Sequence, residues 1–304
     1  MANQEAAHLD NHEDITGKSE PKPVNQLNRP LRILQWNAGS LSAKIDELRC
    51  FLVDFKIDIA LIQETWLTEK SATPKIKGYI PVRGDRKHAE YPGGGLITYI
   101  RGDEFNPGIG FKPNGHCQQE AVEVISVSVQ QSQKKWLTIN NIYIPRGEMD
   151  LSFIPMKDNT IHAGDFNAHS KLWDDEQPED QRGDEIVDWM LENDLVCQND
   201  GSPTRVNRGT GGLSTPDCTF VTRDLGEKVK WESIDDNDMG SDHAPIVIEV
   251  SCGEFKTISN TPLRTRWKRK GINWNAFREE VEALSLSPST LTVASPAEWT
   301  PSRN

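Results

Sequence analysis

The chain has 304 residues, of which 36 % are apolar and 26 % charged, and its formal net charge at neutral pH is −12. That composition supports a real core in one large domain. It excludes a protein that coats nucleic acid by charge alone, because non-specific affinity comes from phosphate neutralisation by Lys and Arg. No run of about 18 apolar residues is present, so no membrane span is expected, and residues 1–20 have no apolar stretch of the kind a secretory signal needs. The five cysteines (Cys50, Cys117, Cys197, Cys218 and Cys252) are widely spaced with no Cys-x-x-Cys pair. A disulfide framework or a structural zinc site is therefore not expected, and a reducing compartment fits best.

Residues 1–29 are polar and without apolar periodicity, and read as a disordered leader. Residues 31–36 alternate apolar and polar as a strand does. Ile45, Leu48, Leu52 and Phe55 recur at helical spacing, which predicts an amphipathic helix over 42–55. Residues 57–62 form a short apolar run, the pattern of a buried strand. Further strands are predicted at 95–100, 121–129, 136–144 and 160–163, then a helix over 184–192, then strands at 195–198, 218–222 and 244–250. Hairpins are expected near 103–113 and 130–135. The run Gly93-Gly94-Gly95 lacks the Lys-Ser/Thr and the helix of a phosphate-binding loop and reads as a turn into a strand. Many strands with few helices predict an α/β sandwich with mixed sheets. Residues 253–304 read as a basic linker and disordered tail. The cluster Arg264, Arg266, Lys268, Arg269 and Lys270 around Trp267 is either a solvated linker or a nucleic-acid contact.

Polar residues stand at the ends of several of these strands: Asn37, Glu64, Asp165 with Asn167, and Asp242 with His243. Strand ends are where α/β scaffolds expose catalytic groups on a rigid support. Each residue alone has a local alternative, since Asn37, Glu64, Asp165 and Asn167 suit turns or caps and Asp242-His243 suits an N-cap. His162 reads as a packed strand histidine.

Taken together, the motifs Gln35-Trp36-Asn37, Ile62-Gln63-Glu64-Thr65, Asn141-Ile142-Tyr143-Ile144-Pro145, Gly164-Asp165-Phe166-Asn167, Ser214-Thr215-Pro216-Asp217 and Ser241-Asp242-His243 occur in the order found in the endonuclease/exonuclease/phosphatase superfamily, which the chain resembles over residues 31–250. Within it, Gln63-Glu64-Thr65-Trp66-Leu67 and Gly164-Asp165-Phe166-Asn167-Ala168-His169, followed by Trp173, resemble the endonuclease domain of LINE-type (non-LTR) retrotransposons. Residues 264–277 resemble the linker after that domain, so the chain reads as a piece of a longer retrotransposon polyprotein.

The resemblance implies a DNase I-like four-layer sandwich at 30–252, two packed mixed sheets flanked by helices. It implies a Mg²⁺-dependent phosphodiester hydrolase, with Mn²⁺ as an alternative metal, that nicks a target DNA duplex and leaves a 3′-hydroxyl and a 5′-phosphate. In such elements the 3′-hydroxyl primes reverse transcription. Glu64 would bind the metal, because hard oxygen donors suit Mg²⁺, with Asn37 and Asp242 nearby. Asp165 would deprotonate the attacking water and Asn167 would hold water and phosphate. His243, kept cationic by Asp217, would donate to a phosphoryl oxygen. Tyr143 would bind phosphate or assist the leaving group. Asn37, Asn167, Arg146 and His169 would contact substrate, although for His169 a surface-loop role is equally compatible. A monomer, no membrane, nuclear access, and element RNA and reverse transcriptase as partners in the full-length protein complete the expectation. Gly39 stands where many repair enzymes of the superfamily carry a second acid. Competing readings are an abasic-site repair endonuclease, a lipid or inositol-phosphate phosphatase, and an inactive fragment that only binds nucleic acid.

Overall fold

Strands Leu31–Asn37 and Ile59–Gln63 are buried at almost every position, so both of their faces need cover. In the computed structural model that cover is a second sheet on one side and a helix on the other. The structure describes residues 24–27, 29–86, 93–102, 108–119, 122–131, 135–147, 149–174, 177–251 and 255–258. The chain divides into two units, 1–261 and 262–304. The second unit, with the basic cluster around Trp267, and the expected leader at 1–23 lie outside the described residues.

The first six-stranded sheet runs in the order Val229–Ser233, Ile246–Val250, Leu31–Asn37, Ile59–Gln63, Leu96–Arg101, Tyr79–Gly84. The second runs Leu195–Cys197, Asp217–Thr222, Thr160–Asp165, Trp136–Tyr143, Val122–Gln130, Phe111–Gln119. Each sheet has one parallel pair at its centre, with Asn37 opposite Gln63 in the first and Asp165 opposite Tyr143 in the second. All other pairings in the two sheets are antiparallel.

Three apolar clusters separate four layers. Helix α1 (Ile45–Asp54) sets Leu48, Phe51 and Leu52 against Leu34, Trp36, Ala60 and Ile62 on the outer face of the first sheet. Leu31, Ile33, Ile59 and Leu61 turn the other way and meet Ile125, Ile139, Ile161 and Val221 of the second sheet. Helix α2 (Gln181–Glu192) sets Ile186, Trp189 and Met190 against Val124, Ile142, Phe166 and Phe220 on that sheet's outer face. The period-2 alternation of the strands thus feeds two cores at once. Each fully buried Leu, Ile or Phe contributes about 1.5–3 kcal/mol. The sandwich expected from the motifs is the one observed.

Helix α2 starts on a capping contact, Asp180 Oδ1 accepting from the Gly183 N–H at 2.7 Å. Gly183 is required there, because a Cβ would collide with the His169 carbonyl. The predicted helix over 42–55 is split, a short 3₁₀ turn (Ser42–Lys44) leading into α1.

The expected hairpin at 130–135 joins two antiparallel strands, and Gln131 N–H donates to the Lys135 carbonyl at 2.9 Å. The strands flanking the hairpin expected at 103–113, Leu96–Arg101 and Phe111–Gln119, lie in different sheets, so no hairpin joins them; residues 103–107 lie outside the described residues. Two edge strands escape the sequence pattern. Tyr79–Gly84 holds Pro81, and Phe111–Gln119 holds Pro113 and a register shift before Gly115; proline and glycine are tolerated at such edges and mask the strand signal.

The boundaries at 29 and 253 also move. Val24–Leu27 pairs antiparallel with Phe255–Ile258, which pairs in turn with Gly108–Ile109, so part of the expected leader and linker belongs to a small third sheet. Among the described residues no helix is long and apolar enough to cross a membrane.

Candidate active site

The two parallel pairs end on the same side of the sandwich, and the chemistry collects there. Asn37 and Glu64 come from the first sheet, Tyr143 and Asp165 from the second, and Asp217 opens the strand opposite Asp165. His243 arrives on the loop that precedes Ile246–Val250. Gly164 permits this crowding, since a Cβ there would collide with the Ile142 backbone of the neighbouring strand.

Glu64, Trp66 and Asn167 adopt φ values of 48°, 54° and 48°, a left-handed region that costs side-chain-bearing residues about 1–3 kcal/mol each. For residues 64–66 the surrounding chain enforces this conformation. Ser40 and Leu41 N–H donate to the Glu64 and Thr65 carbonyls, while Thr65 and Trp66 N–H donate to Gly95 and Gly94. The loop is gripped from both sides, and its shape turns the Glu64 carboxylate toward the second sheet.

Asn37 joins the two halves. Its amide donates to Glu64 Oε1 at 3.0 Å and to Asp165 Oδ2 at 2.8 Å, while its Oδ1 accepts from Gly39 N–H at 3.0 Å. Asp165 Oδ1 accepts from Asn167 N–H at 2.9 Å. The turn roles that sequence offered as alternatives for Asn37 and Asp165 are therefore real and coexist with the site. Asn167 commits its amide N–H to the Ile144 carbonyl at 3.1 Å. Asp165 is 1 % exposed. Burial, and then the neighbouring Asp217, push its carboxyl up to about 7, against the pull of His243. Such a group is poised to accept a proton near neutral pH.

His243 Nδ1 lies 2.7 Å from Asp217 Oδ2, which also accepts from Thr204 Oγ1 at 2.7 Å. Burial alone would push the imidazole down, but the Asp217 carboxylate outweighs it and raises His243 to about 9. The His243 backbone is held as well, with Ser241 Oγ accepting from the His243 backbone N–H at 3.2 Å and donating to the Asn37 carbonyl at 2.7 Å. Trp36 Nε1 donates to the His243 carbonyl at 3.2 Å.

Tyr143 hydrogen-bonds Glu64, and burial, Glu64 and Asp165 all raise its phenol above the usual range. Several site neighbours carried no sequence signal that was read. Trp66 Nε1 donates to Glu64 Oε2 at 2.9 Å. Arg86 lies over the Tyr143 ring, 5.4 Å from its centroid, and pairs with the buried Glu123 at 2.7 Å. Lys44 Nζ donates to the Ala38 and Gly39 carbonyls and would lie 3.8 Å from a Cβ at Gly39. An ammonium thus stands beside the position where the motif lacks its second acid. A histidine or lysine is visible in sequence, but which charge it faces is not.

The remaining expected residues lie alongside. Arg146, Asn167 and His169 line a groove of about 530 Å³ with Arg182 and Arg205. Arg182 donates to the Pro145, Phe166 and Asn167 carbonyls at 3.0–3.2 Å and so braces the Asn167 loop. Asp242, expected near the metal, receives Arg205 Nε and Nη2 on its Oδ2 at 2.8 Å. His162 is the packed histidine expected, edge-on to Trp189, with burial pushing it down to about 3.

Asp165, Asp217 and His243 offer ligand atoms within 4.8 Å of one another. His243 Nδ1 and Asp217 Oδ2 are engaged with each other, however, and Mg²⁺ favours oxygen donors. Glu64 and Asp165, bridged by Asn37, suit such an ion better. Asp165 is pushed up by burial and nearby carboxylates, and a cation beside it would offset that repulsion.

Comparison with known proteins agrees with the fold. A family model described as Endonuclease-reverse transcriptase matches residues 137–247. The chain is 24 % identical over 261 residues to the probable RNA-directed DNA polymerase from transposon X-element of Drosophila melanogaster, covering 84 % of this chain and 27 % of that protein. It is also 24 % identical over 268 residues to the RNA-directed DNA polymerase from mobile element jockey of the same organism, again covering 84 % and 27 %. The chain thus spans little more than a quarter of the length of these relatives. Among solved structures, the endonuclease domain of TRAS1, a telomere-specific non-LTR retrotransposon, superposes with a TM-score of 0.57 at 21 % identity, covering 73 % of this chain and 98 % of that one. AP endonuclease LMAP from Leishmania major gives 0.59 at 16 % identity, covering 74 % and 88 %.

Proposed function

We propose that the chain carries a domain of the endonuclease/exonuclease/phosphatase superfamily, of the non-LTR retrotransposon type, and that it is a Mg²⁺-dependent DNA endonuclease. It nicks a target duplex and leaves a 3′-hydroxyl that primes reverse transcription. The observation that carries this reading is the Asn37 amide bridging Glu64 and Asp165, beside a His243–Asp217 pair held at 2.7 Å.

Glu64, oriented by Asn37, Trp66 and Tyr143, would hold the metal together with Asp165. When bound, Mg²⁺ neutralises phosphoryl charge and stabilises the leaving oxygen. Asp165 takes the proton of the attacking water, and Asn167 fixes the loop against which water and phosphate sit. His243 stays cationic near neutral pH because of Asp217 and donates from Nε2 to a phosphoryl oxygen. Water adds to phosphorus, the bond to the 3′ oxygen breaks, and that oxygen takes a proton from solvent. The backbone of the duplex follows the groove with Arg146 and His169. Target DNA is the partner of this domain, which acts as a monomer. In a longer polyprotein, element RNA and a reverse transcriptase region join it, and insertion requires nuclear access.

The test is nicking of supercoiled plasmid with Mg²⁺ by the parent and by Asp165→Ala, with labelling of the new ends. The variant should lose a factor of about 10³ or more, since base and metal support are removed together. Nicking at equal rates, or ends that a polymerase cannot extend, would sink the reading.

A further inference from the structure

The site is assembled from two sheets whose contact is otherwise a slab of aliphatic side chains. Apolar contact is non-directional, so it does not by itself fix how one sheet is placed over the other. Catalytic groups need placement to within about 0.5 Å. Behind the reacting groups, two sets of buried amide contacts cross between the sheets. Gln63 Nε2 donates to Asn141 Oδ1 at 2.7 Å, and the Asn141 amide donates to the Ile97 carbonyl at 3.1 Å and to the Ile62 carbonyl and Thr98 Oγ1 at 3.3 Å. Gln35 Nε2 donates to the Gly164 carbonyl at 2.9 Å, and Gln35 Oε1 accepts from Thr219 Oγ1 at 3.0 Å.

All four side chains, Gln35, Gln63, Asn141 and Thr219, are 0 % exposed. Their positions in sequence are telling. Gln63 immediately precedes Glu64, and Gln35 lies two residues before Asn37. Gly164 immediately precedes Asp165, and Asn141 lies two residues before Tyr143. Each contact therefore ties the residue behind a group of the first sheet to the residue behind a group of the second. Gln63 Oε1 has no partner among the described residues. An amide with an orphaned oxygen costs stability that a leucine would not, so stability alone does not account for it.

We propose that the Gln63–Asn141 and Gln35–Gly164/Thr219 contacts are positioning devices that set the Glu64–Asn37 edge against Asp165 and thereby create the metal site. The inference rests on the phosphodiesterase reading of that site. Removing both partners of one contact together, with apolar groups of similar volume, leaves a well-packed core but frees the sheets to settle differently.

The experiment compares the parent, the double variant Gln63→Leu with Asn141→Leu, and the exchange Gln63→Asn with Asn141→Gln, which restores an amide pair of the same combined length. Thermal unfolding, Mg²⁺ binding by calorimetry without DNA, and plasmid nicking are measured on each. The double-leucine variant should melt within about 4 °C of the parent yet bind Mg²⁺ about 10–100-fold more weakly and lose kcat in proportion, as groups behind metal ligands do. The exchange should recover most of the binding. The proposal is overturned if the double-leucine variant fails to fold, if it binds metal and nicks as the parent does, if the exchange recovers nothing, or if the parent binds no Mg²⁺. A parent that binds Mg²⁺ but cuts no DNA would instead count against the nuclease reading, and the binding measurements would still decide the positioning role.

Discussion

Two histidine–aspartate pairs flank the groove, and they are nearly identical as contacts. His243 Nδ1 meets Asp217 Oδ2 at 2.7 Å, and His169 Nδ1 meets Asp174 Oδ2 at 2.8 Å. Both aspartates are buried. What differs is everything else each pair touches. Asp174 also receives the backbone N–H of Thr215 at 2.9 Å and of Gln177 at 3.2 Å, so it knits two loops together, and its histidine covers the knot at 27 % side-chain exposure. Among the described residues the Asp217 carboxylate accepts, besides the His243 ring, only the Thr204 hydroxyl, keeps Oδ1 without a partner, and sits beside Asp165. The same two side chains build structure in one place and charge in the other. A pair becomes functional through a third group that needs it, here a buried carboxyl poised near neutral pH.

The comparison breaks most sharply on removal of the histidines. His243→Ala should lower kcat for nicking by about 10²–10⁴, the range of a positioned proton donor. His169→Ala should change it by less than tenfold and act mainly on KM. Equal losses in kcat would mean that both pairs do chemistry and that the distinction drawn from their neighbours is wrong.

Asp217→Asn tests the source of the His243 charge. Without the carboxylate, burial is left to push the imidazole down. Nicking should fall by about 10² at pH 8 and recover in part at lower pH, where the ring regains its proton. A pH profile unchanged in shape would show that Asp217 only positions the ring.

The same shift has a consequence for stability. The folded-state value of His243, about 9, lies above its ordinary 6.5. Its contribution is therefore complete below pH 6.5 and is lost as the pH rises through about 9. Asp165, held at about 7 against an ordinary 3.8, binds its proton more tightly when folded, so its ionisation removes stability between about pH 4 and 7. The metal-free protein should melt lower at pH 9.5 than at pH 5, and His243→Gln should flatten the alkaline part of that slope. A melting temperature that rises toward pH 9.5 in the parent contradicts both shifts.

The four central strands and both helices were legible because burial on one face or two imposes the periods that sequence displays. The edge strands with Pro81 and Pro113 were not, since an edge tolerates residues that hide the pattern. The change of sheet between Leu96–Arg101 and Phe111–Gln119 was missed because a hairpin and a change of sheet leave the same turn residues behind. At the site, Asp217 stood out only through the motif that carries the family resemblance, whereas Asn37, Glu64, Asp165 and His243 stood out as polar residues at the ends of apolar runs. Asp242 stood out for the same reason, yet its partner is Arg205, thirty-seven positions away. Trp66, Arg86, Glu123 and Lys44 were invisible as site members, because their roles arise from whom they meet rather than from their own spacing. Glu123, for example, is a lone acid in a strand until Arg86 and the Gly95 N–H reach it.

The smallest effect on activity belongs to Asp174→Asn, and it carries the other half of the comparison. Asparagine keeps one oxygen in place of the pair, so either the Thr215 N–H and the His169 ring lose the Oδ2 they share, or the Gln177 N–H loses Oδ1. A buried N–H left without a partner costs about 1–3 kcal/mol, which should appear as a lower melting temperature. The Thr215, His169 and Gln177 contacts of Asp174 involve none of Glu64, Asp165 or His243, so the substitution leaves the reacting groups in place. Below the new melting range kcat should stay within about threefold of the parent, a change under 1 kcal/mol in the barrier. If instead kcat fell tenfold or more in a variant that melts like the parent, Asp174 would be acting through His169 on the reaction. The two pairs would then be one device split across the groove.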